Sequence, residues 1–244
     1  MDRCWAYTLA FNESTLIPYW VRHYAQFCER VTVYVDADTD DGTDVLAAKA
    51  GAQVKYARTD GLDDEGFVAF ARDRYPAARG LAEWVIWVDA DEFLYHPRIG
   101  ERLAELRGQG VTRPVVQGYQ MVAAAPPKGR RPITEQITRG IPAAEYSKTC
   151  VFDPALDVAW QPGKHHATVT GADVQDDGSD PLKLLHYRYL GRDYLVARNA
   201  RNFARMTEAQ KGRRHGVETY PDYTGVYSPA WYAEQAANAQ EVVG

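Results

Sequence analysis

The chain has 244 residues, of which 45% are hydrophobic and 25% charged, and its formal net charge is -5. This length suits one α/β domain with a substantial core, and no Pro/Gly/Ser-rich linker divides it. The negative balance argues against a nucleic-acid-binding protein. The sequence also lacks the run of about 18 apolar residues that predicts a transmembrane segment.

The amino-terminal residues do not show a basic segment followed by an apolar one, which favours a cytoplasmic protein. The cysteines are Cys4, Cys28 and Cys150, and their spacing is not that of a zinc site. We therefore expect buried, reduced thiols and no disulfide.

The first part of the chain alternates between strand and helix patterns. Residues 5–11, 31–35 and 53–56 are rich in apolar, β-branched and aromatic residues, which predicts strands. Between them, residues 16–28 have apolar side chains at every third or fourth position, and residues 45–50 form a shorter helical run. This alternation predicts a parallel sheet flanked by helices.

The stretch from Trp84 to Phe93 is the most informative one. Its apolar beginning is typical of a buried strand, and it ends in Asp89, Asp91 and Glu92. Because the carboxyl ends of parallel strands line the ligand crevice, we expect these acids to face a site. If the chain stays extended, Asp89 and Asp91 point to the same side and can share one divalent cation. Asp-x-Asp also arises by chance in a chain with 33 acidic residues, so the assignment depends on the preceding strand.

Acids also follow the second predicted strand, at Asp36 and Asp38. They either cap an ordinary Asp/Gly turn or contact a ribose or base. A helix is predicted from Gly66 to Arg79, before the acid-ended strand, and another from Ile99 to Gln109, after it.

The second part of the chain is less regular. Strands are predicted at residues 115–119, 146–152 and 182–190. The Pro-rich basic loop at residues 126–132 is either a lid or acceptor loop or an exposed connection. The turn at residues 160–166 ends in two histidines, which are either a metal contact or part of the turn.

A final predicted helix runs from about Asp193 to Met206 and places Arg198, Asn202 and Arg205 on one face. Basic residues outnumber acidic ones from Lys183 to Arg214. This excess suits a diphosphate-bearing substrate, although a solvated basic helix gives the same pattern.

Several of these segments together resemble a bacterial family 2 type glycosyltransferase with the GT-A fold. The resemblance covers nearly the whole chain. The matching segments are Asn12-Glu13, Asp36, the run from Trp84 to Leu94, Tyr146-Ser147-Lys148, Gly163-Lys164-His165 and the run from Leu184 to Gly191.

The resemblance implies a Rossmann-like, mostly parallel central sheet in a single domain. Residues 1–110 would form the half that binds the nucleotide sugar, and residues 111–244 the acceptor half with its basic helix. It also implies a nucleoside-diphosphate-sugar donor, a divalent cation (Mn²⁺ or Mg²⁺), and transfer to a hydroxyl with inversion.

Residue by residue, Asn12, Glu13 and Asp36 match positions that contact the nucleoside. Asp89 and Asp91 match positions for the ribose and the metal. His165 matches a carboxy-terminal metal ligand, for which His166 is an alternative.

Lys148, Arg198 or Arg201 could add positive charge near the diphosphate. An inverting transfer also requires a base, and Glu135 is chosen over Glu145, Asp153 and Asp157 because it follows the loop at residues 126–132. Near the carboxyl end, His215 to Tyr220 departs from the family's Gly-x-Gly-x-His-Tyr ending, which bears on the acceptor pocket.

Two other functions are compatible with strand-end acids. A metal-dependent nucleotidyltransferase typically has a glycine-rich, basic loop after its first strand, where this chain has Asn12-Glu13-Ser14-Thr15. A non-catalytic nucleotide-sugar or carbohydrate-binding protein is the other alternative. The acceptor of a transferase could be a glycan, a lipid-linked glycan or a small metabolite.

Overall fold

A computed structural model describes residues 3–213, Tyr220 and residues 227–244. The strands are β1 Cys4–Ala10, β2 Arg30–Asp36, β3 Gln53–Ala57, β4 Trp84–Trp87, β5 Glu92–Tyr95, β6 Val116–Ala123, β7 Arg139–Pro142, β8 Val151–Phe152, β9 Asp157–Trp160, β10 Ala167–Thr170, β11 Leu182–Leu190 and β12 Gln240–Glu241. The α-helices are α1 Ile17–Tyr24, α2 Thr43–Ala50, α3 Asp64–Arg72, α4 Ile99–Gly108, α5 Ile133–Gln136, α6 Arg192–Arg205, α7 Glu208–Arg213 and α8 Pro229–Asn238.

Within the described residues the strands form two five-stranded sheets and one two-stranded hairpin. The first sheet has the order β3-β2-β1-β4-β8, and only its edge strand β8 runs antiparallel to its neighbour. The second sheet has the order β12-β7-β6-β11-β5 and is mostly antiparallel, with β6 and β11 parallel. The expected mixed α/β class with a parallel-rich, helix-flanked central sheet is therefore confirmed, and the second sheet adds to it.

Both faces of the central strands β1 and β4 are covered, which explains why these two strands are apolar along nearly their whole length. Alternate residues of β1 and β4, such as Ala6 and Ile86, pack with α1 in the larger core cluster. Their neighbours, such as Tyr7 and Trp87, pack in a second cluster with Tyr75. The rings of Tyr7 and Trp87 are stacked at 5.3 Å.

Three predicted elements differ from the structure. The helix expected at residues 66–79 ends at Arg72, and a separate 3₁₀ turn follows at Tyr75–Ala78, because a residue before proline disfavours helical backbone and Pro76 lies there. Of the strand expected at residues 146–152, only β8 is extended. Ala144–Tyr146 is a 3₁₀ turn that packs on β6 instead.

The third difference lies at the acids. The chain does not remain extended after β4, because the amide of Glu92 donates to the carbonyl of Asp89 at 3.0 Å and closes a turn. Glu92 then begins β5 in the second sheet. Residues 88–91 thus carry the chain from one sheet to the other.

Candidate functional site

A cleft of about 410 Å³ opens at the carboxyl ends of β1, β2 and β4. In the first sheet the chain moves outward from β1 to β2 and β3 and then returns to β4 on the other side of β1. The order of the strands therefore reverses between β1 and β4, which is where ligands bind in open α/β sheets. Phe11 and Glu13 follow β1 and Asp89 and Asp91 follow β4, and all four line the cleft.

The turn after β4 gives the two aspartates that were expected to share a cation different partners. Asp89 accepts a hydrogen bond from the ammonium of Lys164, whereas Asp91 accepts from Arg198 and His186. The backbone turns here and is not extended, but both residues line the same cleft, and their sharing of one cation stays a prediction.

Asp91 is the centre of a buried charge network. Its Oδ2 accepts from Arg198 Nη1 and, at 3.0 Å, from His186 Nε2, and its side chain is only 3% exposed. Burial alone would raise the pKa of Asp91, but the charges and hydrogen bonds of Arg198 and His186 hold that pKa well below its usual range. Asp91 therefore stays ionised, and its Oδ2 is engaged within the protein.

His186 connects this network to the second sheet. Gln120 donates through its amide nitrogen to the His186 carbonyl at 3.0 Å, so its amide oxygen faces His186 Nδ1 at 2.8 Å. Both ring nitrogens of His186 thus face oxygen acceptors, since Asp91 lies on the other side. Each ring nitrogen can therefore donate to one of these oxygens when it carries a proton.

Glu13 joins the network from the turn after β1. Its Oε1 accepts from Arg198 Nη2 at 2.7 Å, while its Oε2 is buried and has no hydrogen-bond partner among the described residues. Burial raises the pKa of Glu13, against the effect of the neighbouring Arg198 guanidinium. The unpartnered oxygen belongs to a residue that lines the cleft, so it could accept a hydrogen bond from a ligand.

Glu92 and Lys148 form a second buried pair under the turn. Lys148 Nζ lies 2.5 Å from Glu92 Oε1, and the amide of Asp89 donates to Glu92 Oε2 at 3.0 Å. Both side chains are almost fully buried. Burial alone would lower the pKa of Lys148, but Glu92 and Asp89 raise it above its ordinary value. The pair therefore fixes the backbone that carries Asp89.

Asp89 is the more accessible of the two aspartates, with 45% of its side chain exposed. Its partner Lys164 lies in the loop between β9 and β10, where Gly163 and Lys164 both have positive φ, at 81° and 60°. Such a conformation is uncommon for lysine and directs this loop toward the acids. Burial alone would raise the pKa of Asp89, but Lys164 and Lys148 hold it below its usual value.

His165, the next residue, also lines the cleft. Its Nδ1 lies 2.8 Å from the carbonyl of Glu145, which can only accept, so Nδ1 carries the proton and Nε2 of the neutral ring is unprotonated. Its ring lies 5.6 Å from that of Tyr146, which in turn lies 4.1 Å from His186. His165 is therefore held in an orientation that presents one basic nitrogen. His166 is exposed and does not line the cleft.

Asp36, at the end of β2, is buried on the opposite side of the cleft. It accepts from the Asp38 amide at 2.9 Å, from Arg205 at 2.9 Å and from the hydroxyl of Thr59. Burial alone would raise its pKa, but these hydrogen bonds and the Arg205 charge hold it below the usual value. The Arg205 guanidinium also lies 3.5 Å from the centre of the Phe11 ring. An aromatic ring and a guanidinium thus form one surface of the cleft.

Two predicted site residues lie away from the cleft. Asn12 donates to Asp40 at 2.7 Å and accepts from the Asp40 amide at 3.0 Å, so its side chain is used within the loop. Glu135 is 58% exposed on α5, where it lies 3.6 Å from Arg131. Neither residue lines the cleft, and Glu135 as the catalytic base stays a prediction.

The other predicted site residues do line the cleft. Asn202 and Arg205 line it as well, on the same face of α6 as Arg198, as the helical periodicity indicates. This set is Glu13, Asp36, Asp89, Asp91, Lys148, His165, Arg198, Asn202 and Arg205. Residues 215–219 of the carboxy-terminal departure lie outside the described residues.

The residues that the sequence prediction did not assign are Lys164, His186, Tyr146 and Phe11. Each lies in or beside a segment quoted for the resemblance, but its role depends on contacts with distant parts of the chain. Lys164 and Asp89, for example, are 75 positions apart. One signal could have indicated these residues. A buried carboxylate needs a cationic partner, so each acid that is expected to be buried predicts a basic side chain beside it in the fold.

The fit of a divalent cation can be judged from these donors. Within the described ranges, no group of three or more His, Cys, Asp or Glu side chains is arranged to hold a metal ion. Mg²⁺ is commonly held by only one or two carboxylates together with phosphate oxygens. Asp89, Asp91 and His165 all line the cleft, but Asp89 accepts from Lys164, and Oδ2 of Asp91 accepts from Arg198 and His186. Their assignment as metal ligands stays a prediction.

A scan against protein-family models finds no match for this chain, and a search of curated proteins finds none either. The chain is similar to the solved structure of glucosyl-3-phosphoglycerate synthase from Mycobacterium tuberculosis in complex with Mn²⁺, UDP and phosphoglyceric acid. The identity is 18% and the TM-score 0.35, over 49% of this chain and 43% of that one.

A second structure of that enzyme, in complex with Mg²⁺ and UDP, is 17% identical with a TM-score of 0.35, over 56% of this chain and 47% of that one. S. aureus TarS is 11% identical with a TM-score of 0.42, over 93% of this chain and 44% of that one. The chain thus spans less than half the length of each of these three structures. Similarity of this degree carries no conclusion about its reaction.

Among the described residues, no helix is both long and apolar enough to cross a membrane.

Proposed function

We propose that this protein is a glycosyltransferase of the GT-A type that moves a sugar from a nucleoside-diphosphate sugar to an acceptor hydroxyl, with inversion. The observation that carries this proposal is the cleft between the carboxyl ends of β1 and β4. It combines an accessible carboxylate, Asp89, with the cationic side chains of Lys164 and Arg205. A diphosphate sugar presents both negative charge and hydroxyl groups, which such a lining can bind.

The nucleoside would bind beside β2, as the resemblance implies. There, Phe11 and the Arg205 guanidinium offer a planar surface, and Asp36 holds Arg205 in place. The free Oε2 of Glu13 would accept a hydrogen bond from a ligand hydroxyl. Because Asn12 is tied to Asp40, it supports the loop and does not contact the donor in this proposal.

A divalent cation would be held by Asp89 and His165 together with oxygens of the diphosphate. When bound, the cation neutralises charge that develops on the leaving nucleoside diphosphate. Asp91 has a different role from the one first expected, because it orients Arg198 and His186 beneath the cleft.

The chain's own cations divide into two groups. Lys148 and Arg198 are buried and paired with Glu92, Asp91 and Glu13, so they position the acid turn. Lys164 is paired only with the partly exposed Asp89 among the ion pairs that the described residues make, so its ammonium can turn to a phosphate. In this proposal Lys164 contacts the donor, whereas the sequence led us to expect that contact from Lys148 and Arg198.

The acceptor half extends over residues 111–244 in this proposal, and residues 1–110 form the donor half. His165, Arg198 and Arg205 belong to the later range but line the same cleft as Glu13 and Asp89. The two halves therefore share one site. The acceptor is a glycan, a lipid-linked glycan or a small metabolite, and the proposed location is the cytoplasm.

Ligand binding gives the most direct test. We would measure the Tm of the protein with UDP-, GDP-, dTDP- and CDP-sugars, with and without MnCl₂. A donor at a hundred times its Kd stabilises the folded state by about 2.7 kcal/mol, which corresponds to a clear rise in Tm. One nucleotide should stabilise the wild type only when Mn²⁺ is present.

Asp89→Asn should lose this Mn²⁺-dependent rise. Asp193→Asn is the matched control, because Asp193 lies on α6 and its carboxylate is fully exposed outside the cleft. If no nucleotide sugar changes the Tm of the wild type under either condition, the proposed function is refuted.

The internal pairing of the acids favours one alternative. Because Asp91 and Glu92 already have cationic partners within the protein, the cleft could bind a nucleotide sugar without catalysing its transfer. Release of nucleoside diphosphate from the stabilising donor separates the two functions. A transferase releases it, at least slowly to water, whereas a binding protein leaves the donor intact.

A further inference from the structure

A pair of cysteines lies outside the cleft and has no part in the proposed function. Cys4 begins β1, and Cys28 lies between α1 and β2. Their Sγ atoms are 2.8 Å apart, and the residues are only 1% and 7% exposed. The amide of Glu29 donates to the Cys4 carbonyl at 3.0 Å, so the backbone holds the two residues side by side.

The separation of the sulfur atoms is short for two thiols. Carbon atoms, which are smaller than sulfur, are in optimal contact at about 3.5–4.0 Å. The bond length of a disulfide is about 2.05 Å. A movement of less than about 1 Å would therefore bring the pair to bonding distance, which a small rotation of either side chain can supply.

A second cavity, of about 520 Å³, reaches this pair. It is lined by Cys4, by Gln26 and Phe27 after α1, and by the start of α4 from Arg98 to Ala104. Cys4 is thus the thiol that a small molecule in the cavity meets, whereas Cys28 does not line it.

The environment of Cys28 also suits a reaction in which Cys4 is oxidised first. Burial raises the pKa of the Cys28 thiol well above its usual value, and the contact with Cys4 raises it further. Cys28 therefore keeps its proton, whereas Cys4 lines the second cavity and is the sulfur that meets an oxidant first. The thiolate is the form of Cys4 that attacks the oxidant.

We propose that Cys4 and Cys28 form an oxidisable dithiol that hydrogen peroxide converts to a disulfide in the folded protein. The Cys4 thiolate attacks the peroxide oxygen, which cleaves the O–O bond and gives Cys4 sulfenic acid and, after proton uptake, water. The Cys28 sulfur then attacks the Cys4 sulfur, and the sulfenic oxygen leaves as a second water. Overall the two thiols lose two electrons and two protons, and H₂O₂ is reduced to two molecules of water.

The third cysteine provides an internal control. Cys150, next to β8, is as buried as Cys4 but does not line the second cavity, and its electrostatic neighbours are Lys148 and Glu92. It should therefore keep its thiol while the other two are oxidised.

The experiment treats the folded, full-length wild-type protein with H₂O₂, removes the oxidant, and then unfolds and alkylates the chain with N-ethylmaleimide. Mass spectrometry should find three adducts before treatment and one after it, on Cys150. Peptide mapping should find Cys4 joined to Cys28, and dithiothreitol should restore three adducts. The disulfide should also raise the Tm by about 5 °C or more, because it closes a loop in the unfolded chain.

Three variants complete the test. Cys150→Ala should give two adducts before treatment and none after it. Cys28→Ala should stop at Cys4 sulfenic acid, which dimedone traps, and Cys4→Ala should leave the Cys28 thiol unmodified. Wild-type protein oxidised in urea should give a mixture of pairings, which shows that the fold selects the partner.

Persistence of three adducts after peroxide treatment would overturn the proposal. A bond that involves Cys150, or sulfinic and sulfonic acids without a disulfide, would do so as well. None of these outcomes depends on whether a nucleotide sugar binds.

Discussion

At the scale of single residues, the cleft is organised by Asp91, a buried carboxylate that accepts from Arg198 and His186 at one oxygen. A buried charge network of this kind is stable only when each member keeps its partners. Asp91 thus holds together α6, β11 and the turn after β4.

Replacement of Asp91 by asparagine should therefore be costly. The free energy of unfolding at pH 7 should fall by about 3–5 kcal/mol, because Arg198 and His186 remain buried without their anion. Urea unfolding measures the change, and Asp193→Asn should stay within about 0.5 kcal/mol of the wild type.

The difference in the free energy of unfolding between wild type and Asp91→Asn should depend on pH in one direction. Because the pKa of Asp91 is lower in the folded than in the unfolded chain, its contribution is present above the unfolded pKa and is lost as the pH falls through the folded one. The gap between wild type and Asp91→Asn should therefore narrow in acid. An equal gap at pH 7 and pH 3 would contradict the depressed pKa.

Replacement of Lys164, in contrast to that of Asp91, should affect metal binding more than stability. Since Asp89 is 45% exposed, Lys164→Met should change stability by less than about 1 kcal/mol. It removes a cation that competes for Asp89, so Mn²⁺ should bind the nucleotide-free variant about tenfold more tightly, a difference of about 1.4 kcal/mol.

Electron paramagnetic resonance of free Mn²⁺ gives the affinity directly. Lys49→Met is the control, because Lys49 lies in the last turn of α2 and not in the cleft. An unchanged Mn²⁺ affinity in Lys164→Met would show that the ammonium does not block the carboxylate.

At the scale of elements, the 3₁₀ turn at Ala144–Tyr146 supports the site from β6. Gly118 permits this packing, since a Cβ there would lie 2.3 Å from the Tyr146 carbonyl carbon and 2.5 Å from the Ala143 oxygen. The Tyr146 ring then lies against His186. A glycine in this strand thus determines the position of a cleft residue.

Gly118→Ala should reduce the free energy of unfolding by about 3 kcal/mol or more, because backbone atoms must move to admit the methyl group. Gly108→Ala is the matched substitution in α4, where nothing lies within 4 Å of the added Cβ. It should be stabilising by about 0.5–1 kcal/mol, as alanine is favoured over glycine in helices. Equal effects of the two changes in urea unfolding would refute the close-packing explanation.

The elements of the first sheet could be predicted because their information is local. Strands such as β4 are short runs of apolar residues, and the helical spacing of α6 placed Arg198 and Arg205 on the cleft face. The turn after β4 could not be predicted in this way, because Glu92–Tyr95 leaves the first sheet to pair with β11. That pairing depends on residues about ninety positions away, which the pattern around Asp91 does not contain.

The same limit applies to the pairs within the cleft. Nothing near Asp89 in the sequence indicates Lys164, and Glu135 was placed by its position after a loop and not by a spatial neighbour. Side chains whose partners are distant in sequence are fixed by the packing of whole elements.

At the scale of the whole molecule, His23 connects the two sheets. It lies on α1, and its Nε2 donates to the Leu94 carbonyl of β5 at 2.8 Å. Burial lowers the pKa of His23 to about 4, although the bond to Leu94 opposes this effect. The folded protein therefore keeps this ring neutral in mild acid.

Stability should consequently fall as the pH is lowered from about 6.5 to about 4, because the unfolded chain takes up a proton on His23 that the folded chain does not. The loss should be roughly 1–3 kcal/mol. Urea unfolding at pH 7.5, 5.5 and 4.5 measures it.

His23→Gln keeps an N–H donor but does not titrate, so its stability should decline less over this range. His166→Gln, at an exposed position, should decline as the wild type does. If His23→Gln follows the wild-type curve, another group causes the loss.

The passage of the chain between the sheets at residues 88–91 affects the rate of hydrogen exchange at the backbone amide of Tyr187. The Asp91 carbonyl accepts from the Tyr187 amide of β11 at 2.7 Å, so the turn that presents Asp89 is also hydrogen-bonded to the second sheet. A ligand that restrains Asp89 must therefore slow the opening of that bond. Deuterium uptake at Tyr187, which does not line the cleft, would then report occupancy of the site before any product is formed.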